Sequence, residues 1–397
     1  MNKLNILHVS YSLGESSAAT RLAKSLDDKV NNYFLCGRIS RDNFIKKKQL
    51  IKLISFLGSL FTRLIDRALF RLLNYPNGEL FSYGIISLPQ RFFTWLVVKL
   101  YKIDVLHYHW GGLGFFPLSS IPNIKKLKIV ITLHDYHAIA GGCHIPMDLE
   151  LNNCSNFLKR KKIGSKLINK NFSKNRSIIE KKNITIISPS SFVQTKINRF
   201  FNSKIIPNCY GDEYYMDQAE FSLVKDSFDN EKEESPSMLV VGLKKSKENN
   251  KGFDTFEKTL KDLDIKLKIV GAGCSKSDLI NLDKGMIDSA NMRKLYRSAD
   301  LCVVFSRYET FSQVCLESIM CGTPVIAFGS NGPGDILQKS RLGLELEKYS
   351  NMDFKILIEK NLTLKKNDFI SYEELSSFRE FFSPKKISSQ YLEVYKK

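Results

Sequence analysis

The stretch from Leu301 to Val325 does most to restrict what this chain can fold into. It opens with Leu301-Cys302-Val303-Val304-Phe305-Ser306, a run with no alternating polar position. Such a run reads as a strand buried on both faces, as in a parallel sheet covered by helices. A polar loop follows, then a helix, then Gly322-Thr323 and a second apolar run from Pro324. The order is strand, loop, helix, loop, strand, which is how two parallel strands must be joined. Two carboxylates punctuate it, Glu309 in the loop and Glu317 on the helix. In an open α/β sheet ligands bind beyond the carboxyl ends of the strands, where Glu309 falls.

The same pattern recurs in both halves of the chain. Asn5–Ser10, Ile103–Trp110, Lys128–Leu133, Asn183–Ser188 and Ser203–Asn208 read as strands of a first half. Met238–Gly242, Leu267–Val270, Leu301–Ser306 and Pro324–Ala327 read as strands of a second. Between them Asp212–Ser237 is acidic and polar, with no strong strand pattern. A chain of 397 residues is longer than one core usually serves. The expected domains are therefore 1–208, 209–383 and a closing helix over 384–397. A hydrophobic content of 43% fits a globular protein. The apolar run Leu4–Val9 is too short for a signal peptide, and no stretch is apolar for long enough to span a membrane. Eight scattered cysteines without a CxxC pair are expected to be reduced thiols in a cytoplasmic protein.

Charge separates the halves. Residues 1–208 hold 32 Lys and Arg against 11 Asp and Glu, whereas the remainder holds 28 against 30. All six histidines lie in the basic half. Such a half suits an anionic surface or substrate. Within it, Phe44–Leu73 keeps apolar residues at helical spacing, flanked by Lys46, Lys47, Lys48, Lys52, Arg63, Arg67 and Arg71. A basic amphipathic helix is expected to lie on an anionic membrane; the competing reading is a helix pair packed in the core. Two further strands of this half end in histidines, His109 and His134. Histidines at the carboxyl ends of neighbouring parallel strands are well placed for a ligand. Gly14, between the first strand and a helix expected over Ser16–Leu26, offers a weaker phosphate- or sugar-binding turn.

The second half carries the groups that a diphosphate needs. Lys244, Lys245 and Lys251 supply point charges, and glycine turns with helix amino termini supply backbone N–H groups. Glu309 suits sugar hydroxyls and Glu317 the paired hydroxyls of a ribose. No GxxxxGK[ST] motif or acidic cluster for Mg²⁺ is present, which disfavours a P-loop nucleotidase. Cys143-His144 with Cys154 lacks an evident fourth ligand, so no metal site is expected.

Glu309-x7-Glu317 followed by Cys321-Gly322-Thr323-Pro324-Val325 resembles the signature of the family-4 retaining glycosyltransferases of the GT-B fold. Further matches keep their order: Ile206-Pro207-Asn208, Lys251-Gly252-Phe253, Ile269–Gly273, Leu295-Tyr296 with Ala299-Asp300, and Gly332-Pro333-Gly334. Thr132–Tyr136 with Ala140–His144 is similar to the subgroup that builds bacterial exopolysaccharide or O-antigen. The resemblance implies two Rossmann-like doubly wound α/β domains facing across a cleft, with the C-terminal helix crossing back to the first. It implies that Lys251 and Lys245 hold the donor diphosphate, Glu309, with Thr310 and Phe311 beside it, the donor sugar, and Glu317 the ribose. His134 corresponds to the active-site histidine and Gly14 to the loop closing over phosphate and acceptor. The sequence departs from the usual pattern in its single loop glycine, in Lys245 for arginine and in Ser318 for alanine.

The function so implied is retaining, metal-independent sugar transfer from a nucleoside diphosphate sugar to a lipid-linked saccharide, at the inner face of the cytoplasmic membrane, in surface polysaccharide synthesis. No cofactor and no nucleic acid partner is expected. A phosphorylase or nucleotide-sugar epimerase on the same fold is the first rival. A non-enzymatic binder of nucleic acid or membrane, resting on the basic half, is the second.

Overall fold

The computed structural model describes residues 3–14, 17–38, 87–112, 115–140, 162–182, 184–222, 235–245, 249–263, 267–362 and 371–397, with Leu60, Leu64, Ala68 and Ile265 as isolated positions. The basic residues from Lys46 to Arg71 and the Cys143, His144 and Cys154 set lie outside them. The chain divides into two units. One comprises Met1–Pro189, Val193–Ile206 and Ser388–Lys397; the other comprises Ser190–Phe192 and Pro207–Ile387.

The first unit is built on six parallel strands: β1 (Asn5–Ser12), β2 (Asn31–Arg38), β3 (Val105–Trp110), β4 (Lys128–Thr132), β5 (Thr185–Ser188) and β6 (Ser203–Ile205). Their order in the sheet is β2-β1-β3-β4-β5-β6. The order reverses between β1 and β3, and ligands bind at such a switch point. Pairing of β1 with β3 slips between Val9 and Ser10, next to the strand ends, a frequent irregularity beside functional sites. Helix α1 (Ala18–Ser25) follows β1, its first turn capped by the Ser17 side chain, which accepts from the Thr20 N–H. Helices α2 (Leu88–Leu100), α3 (Lys162–Lys181) and α4 (Ser191–Ile197) follow. The last ten residues of the chain, most of them in the helix Pro384–Lys396, belong to this unit.

The second unit has its own six-stranded sheet: β7 (Ser237–Val241), β8 (Lys268–Ala272), β9 (Leu282–Asp283), β10 (Leu301–Val304), β11 (Val325–Phe328) and β12 (Gly343–Leu346). Its order, β12-β11-β10-β7-β8-β9, again all parallel, places a switch point between β7 and β10. Side chains alternate across this sheet as a period of two demands. Met238, Val240, Leu301, Val303 and Ile326 pack on one face with Phe253, Phe256, Phe354 and Ile358. Leu239, Cys302, Val304, Val325 and Ala327 pack on the other with Met292, Tyr296, Leu316 and Ile319. The helices that supply them are α5 (Phe253–Lys261), α6 (Ser289–Ser298), α7 (Gln313–Met320) and α9 (Asn351–Leu362), with the short α8 (Gly334–Leu337) and α10 (Tyr372–Phe381) completing the layer. The continuous apolar strands follow from this double coverage. Among the described residues the six cysteines are free thiols, five of them buried.

Candidate active site

The first unit gathers four histidines at its switch point. His8 sits on β1 opposite His107 on β3, and His109 shares a face with His107 two residues on. His134 follows the end of β4. His8 Nδ1 lies 3.1 Å from His109 Nε2, and His109 Nδ1 lies 3.1 Å from His134 Nε2. The three rings meet edge to edge and nearly parallel, with 5.3 and 5.4 Å between centroids and 22° and 17° between planes. At the far end His8 Nε2 meets the Asn32 side-chain oxygen at 3.0 Å. Asn32 is buried, as are His8 and His109, whereas His134 is partly exposed. The sequence reading paired His109 and His134 only as strand ends; the structure joins them directly.

His107 belongs to a second set of bonds. Its Nδ1 meets the Tyr395 hydroxyl at 2.6 Å and its Nε2 the Thr132 hydroxyl at 2.8 Å, and Thr132 in turn meets Tyr391 at 2.9 Å. Both tyrosines come from the last helix, so the end of the chain closes over the histidine strand. Burial, reinforced by the neighbouring imidazoles, holds the pKa of His107 and of His109 well below the ordinary value. Burial lowers that of His134 to about 4, against a smaller opposing pull from Asp135. All three are neutral at pH 7. Ligand atoms of His8, His107 and His109 lie within 4.8 Å of one another, the one arrangement among the described residues with the density of a metal site. Each ring nitrogen of this trio already has a hydrogen-bond partner.

Gly14 lies just beyond β1, and its carbonyl accepts from the Ser17 N–H at 3.0 Å. A methyl group placed there would meet nothing within 4 Å. Its backbone therefore does not require glycine, and the bareness of the position leaves room for close approach.

In the second unit the two residues most prominent in the sequence reading are in contact: Lys251 Nζ lies 2.5 Å from Glu309 Oε1. Lys251 comes from the turn before α5 and Glu309 from the loop after β10, so both stand at the switch point. The turn is made by Asn249 and Gly252, both left-handed, with φ 48° and 70°. Lys245, beyond β7, donates its backbone N–H to Ser275 Oγ at 3.0 Å. Its ammonium sits 5.4 Å from the ring of Phe253, the first residue of α5. Two lysines thus flank the positive end of that helix, a setting for a bound anion.

Gly252 is required by its surroundings. A Cβ there would overlap the carbonyl oxygen of Phe305, which already accepts from the Tyr349 hydroxyl at 2.7 Å. Gly252→Ala is expected to lower stability by about 2–3 kcal/mol. Urea unfolding checks it, and an unchanged midpoint would show that the turn relaxes freely.

The Glu309 loop is propped from behind. Its carbonyl accepts from the Gly332 N–H at 3.0 Å, and Asn331 Nδ2 donates to the Arg307 carbonyl at 3.1 Å. Ser312, which caps α7 by accepting from the Cys315 N–H, is held at φ 78°, a costly conformation for a residue other than glycine. Phe311 has its ring in the core against Phe382. What Phe311 brings to a ligand is therefore the course of the backbone. Glu317 is buried on α7 and accepts from the Tyr296 hydroxyl at 3.1 Å. Tyr296 is held well above the ordinary phenol pKa, by burial first and Glu317 second, and so remains a donor. The sequence reading noted Tyr296 only within a motif, not as the partner that orients Glu317.

Comparison with known proteins finds relatives. Residues 235–362, from β7 through α9, match the family "Glycosyl transferases group 1". N-acetyl-alpha-D-glucosaminyl L-malate synthase of Bacillus anthracis is 24% identical over 317 residues, 75% of this chain and 76% of that protein. Sucrose-phosphate synthase of Thermosynechococcus elongatus superposes with a TM-score of 0.65 at 14% identity, covering 99% of this chain and 98% of the other. Anabaena HepE, solved with UDP-glucose, does so with a TM-score of 0.59 at 15% identity, covering 98% and 99%.

Proposed function

We propose that this chain, a family-4 glycosyltransferase of the GT-B fold, moves a sugar with retention of configuration from a nucleoside diphosphate sugar to a lipid-linked saccharide in surface polysaccharide synthesis. The observation that carries the reading is the Lys251–Glu309 contact beside the amino end of α5. A cation, a carboxylate and the amino end of a helix at one strand end match a donor with an anionic half and a hydroxyl-rich half. The names of the similar proteins fit this chemistry. The Bacillus anthracis relative is named for an N-acetylglucosaminyl product, and the Anabaena structure holds UDP-glucose.

In the proposed reaction the bond from the anomeric carbon to the phosphate oxygen breaks, and a bond to the acceptor oxygen forms on the same face. The nucleoside diphosphate leaves with its negative charge met by Lys251, Lys245 and the helix dipole, which take the electrostatic part a metal often plays. The acceptor proton passes to a donor phosphate oxygen. Glu309 positions the sugar and Glu317 the ribose, and His134 has the part of the family's active-site histidine. Gly14 leaves space for phosphate and acceptor.

The test is nucleotide release from UDP-, GDP- and ADP-sugars, with and without lipid-linked saccharide acceptors and with chelator present. Acceptor-dependent release that survives the chelator is expected. Sugar phosphate formed only with added phosphate, or an epimerised donor without acceptor, would replace this reading with a phosphorylase or an epimerase.

Membrane association is part of the proposal. No helix among the described residues is long and apolar enough to cross a membrane. One helix of the basic unit, α2, nevertheless exposes Leu88 (74%), Phe92 (59%), Trp95 (41%) and Leu100 (61%). Phe92 stacks on Trp95 with 6.2 Å between centroids. Trp, Phe and Leu beside basic residues are the composition of a face that enters the lipid headgroup region. The full chain is expected to float with phosphatidylglycerol-containing liposomes. The combined change of Lys46, Lys47, Lys48 and Lys52 to Glu, or of Phe92 and Trp95 to Ser, is expected to abolish flotation. Unchanged flotation in both variants would remove the membrane from the proposal.

A further inference from the structure

We propose that Asn32, His8 and His109 form a chain that fixes the tautomer of His134, with its hydrogen on Nε2 and its lone pair on Nδ1. The inference starts at the buried end. Asn32 Nδ2 donates to the Ala23 carbonyl at 2.9 Å and reaches Asp27 Oδ1 at 3.3 Å. Its amide is thereby oriented, and its oxygen faces His8 Nε2 at 3.0 Å. An amide oxygen only accepts, so His8 carries its hydrogen on Nε2.

Each later link follows from the one before it. His8 is fully buried, which favours the neutral imidazole; its lone pair then lies on Nδ1, and His109 must donate to it from Nε2 across 3.1 Å. His109 is neutral, because burial among imidazoles holds it so. It is left with a lone pair on Nδ1, and His134 must donate to that from Nε2 across 3.1 Å. The lone pair of His134 therefore lies on Nδ1, on the opposite side of the ring. Three rings in series carry the orientation of one buried amide to the partly exposed His134.

The consequence bears on what His134 recognises. A lone pair at Nδ1 accepts from a hydroxyl and repels a phosphate oxygen. With this tautomer, a substrate contact made through Nδ1 of His134 is to a hydroxyl of the sugar or of the acceptor, not to the diphosphate. This step rests on the proposed transferase reaction; the tautomer itself does not. His8, His109 and Asn32 are positioning residues, since they act through His134.

The rival use of these rings is a metal site at His8, His107 and His109. It would take the lone pair on which the chain depends and break the His8–His109 hydrogen bond.

The experiment uses the full chain with ¹⁵N-labelled histidine, His134 being assigned through His134→Gln. The imidazole spectrum of His134 in the wild type is expected to be that of the neutral Nε2–H form. His109→Leu removes the link and is expected to mix the two tautomers. His109→Gln, with one donor and one acceptor, restores the wild-type form. With UDP-glucose as the first donor tried, His109→Leu is expected to lower kcat about tenfold or more with donor KM unchanged, and His109→Gln to recover most of it. Should His109→Leu fail to fold, Asn32→Ala tests the same chain from its other end. A wild-type Nδ1–H spectrum, an unaltered spectrum in the folded variants, or stoichiometric metal in the purified protein would each overturn the proposal. If the tautomer is as stated and His134→Ala still turns over normally, the chain stands and the catalytic assignment of His134 falls.

Discussion

Lys251→Ala is expected to lower sugar transfer roughly a thousandfold while shifting Tm by no more than about 2 °C. The two halves of this expectation have different origins. The Lys251 side chain is 45% exposed and that of Glu309 19%, and an ion pair so near water adds little to stability because solvent screens it. The same ammonium beside a leaving diphosphate acts where negative charge grows, and there it is worth several kcal/mol. In the absence of donor its charge is answered by Glu309, which keeps the cation and carboxylate oriented before substrate arrives. Glu309→Gln, which keeps the shape and removes the charge, is expected to weaken transfer less than Glu309→Ala. Lys251→Arg should retain part of the activity, since the charge persists while the single short contact is replaced by a fork. Near-normal turnover in both Lys251→Ala and Glu309→Ala, with folding intact, would remove these residues from the site.

The sequence made one half of this site easier to read than the other, for a physical reason. In the second unit the relevant residues are near one another along short connections: Lys251 precedes α5, and Glu309 and Glu317 bracket the start of α7. Local pattern therefore carried most of the information. The unbroken apolar runs of β7, β10 and β11 likewise follow from coverage on both faces of the sheet.

The histidine chain is different. Its far end is Asn32, on a strand whose first two residues, Asn31-Asn32, are poor strand formers; β2 was not expected from the sequence. Asn32 is there because a buried amide can both anchor itself to α1 and orient His8. Tyr391 and Tyr395 are separated from Thr132 and His107 by 259 and 288 positions. No spacing rule reaches so far. The helix boundaries moved less: the helix expected over Ser16–Leu26 runs from Ala18 to Ser25 because Ser17 caps it.

Acid should destabilise the protein through the same histidines, and at a milder pH than carboxylates alone would produce. The free energy of unfolding is expected to fall as the pH is lowered from 7.5 to 5. The sign follows from where the proton goes. An unfolded histidine takes up a proton near pH 6.5, whereas His107 and His109 in the native protein are held well below that and His134 to about 4. Above pH 6.5 neither state binds the proton, so stability is undiminished. Below pH 6.5 the unfolded chain binds it while the native rings do not, down to about pH 4 for His134, and the native state loses ground with each step down. His134, which is partly exposed, contributes less than the other two. Carboxylates lowered by partners, such as Glu220 between Arg297 and Arg293, lose their contribution only below their unfolded pKa near 4.5, so the interval from 7.5 to 5 isolates the imidazoles. Urea midpoints measured across that interval should fall for the wild type and fall less steeply for His109→Gln, which keeps the hydrogen bonds and removes one titrating ring. A flat wild-type midpoint would mean that the cluster titrates in the folded protein as it does in the unfolded one, and that its rings are not held neutral by burial.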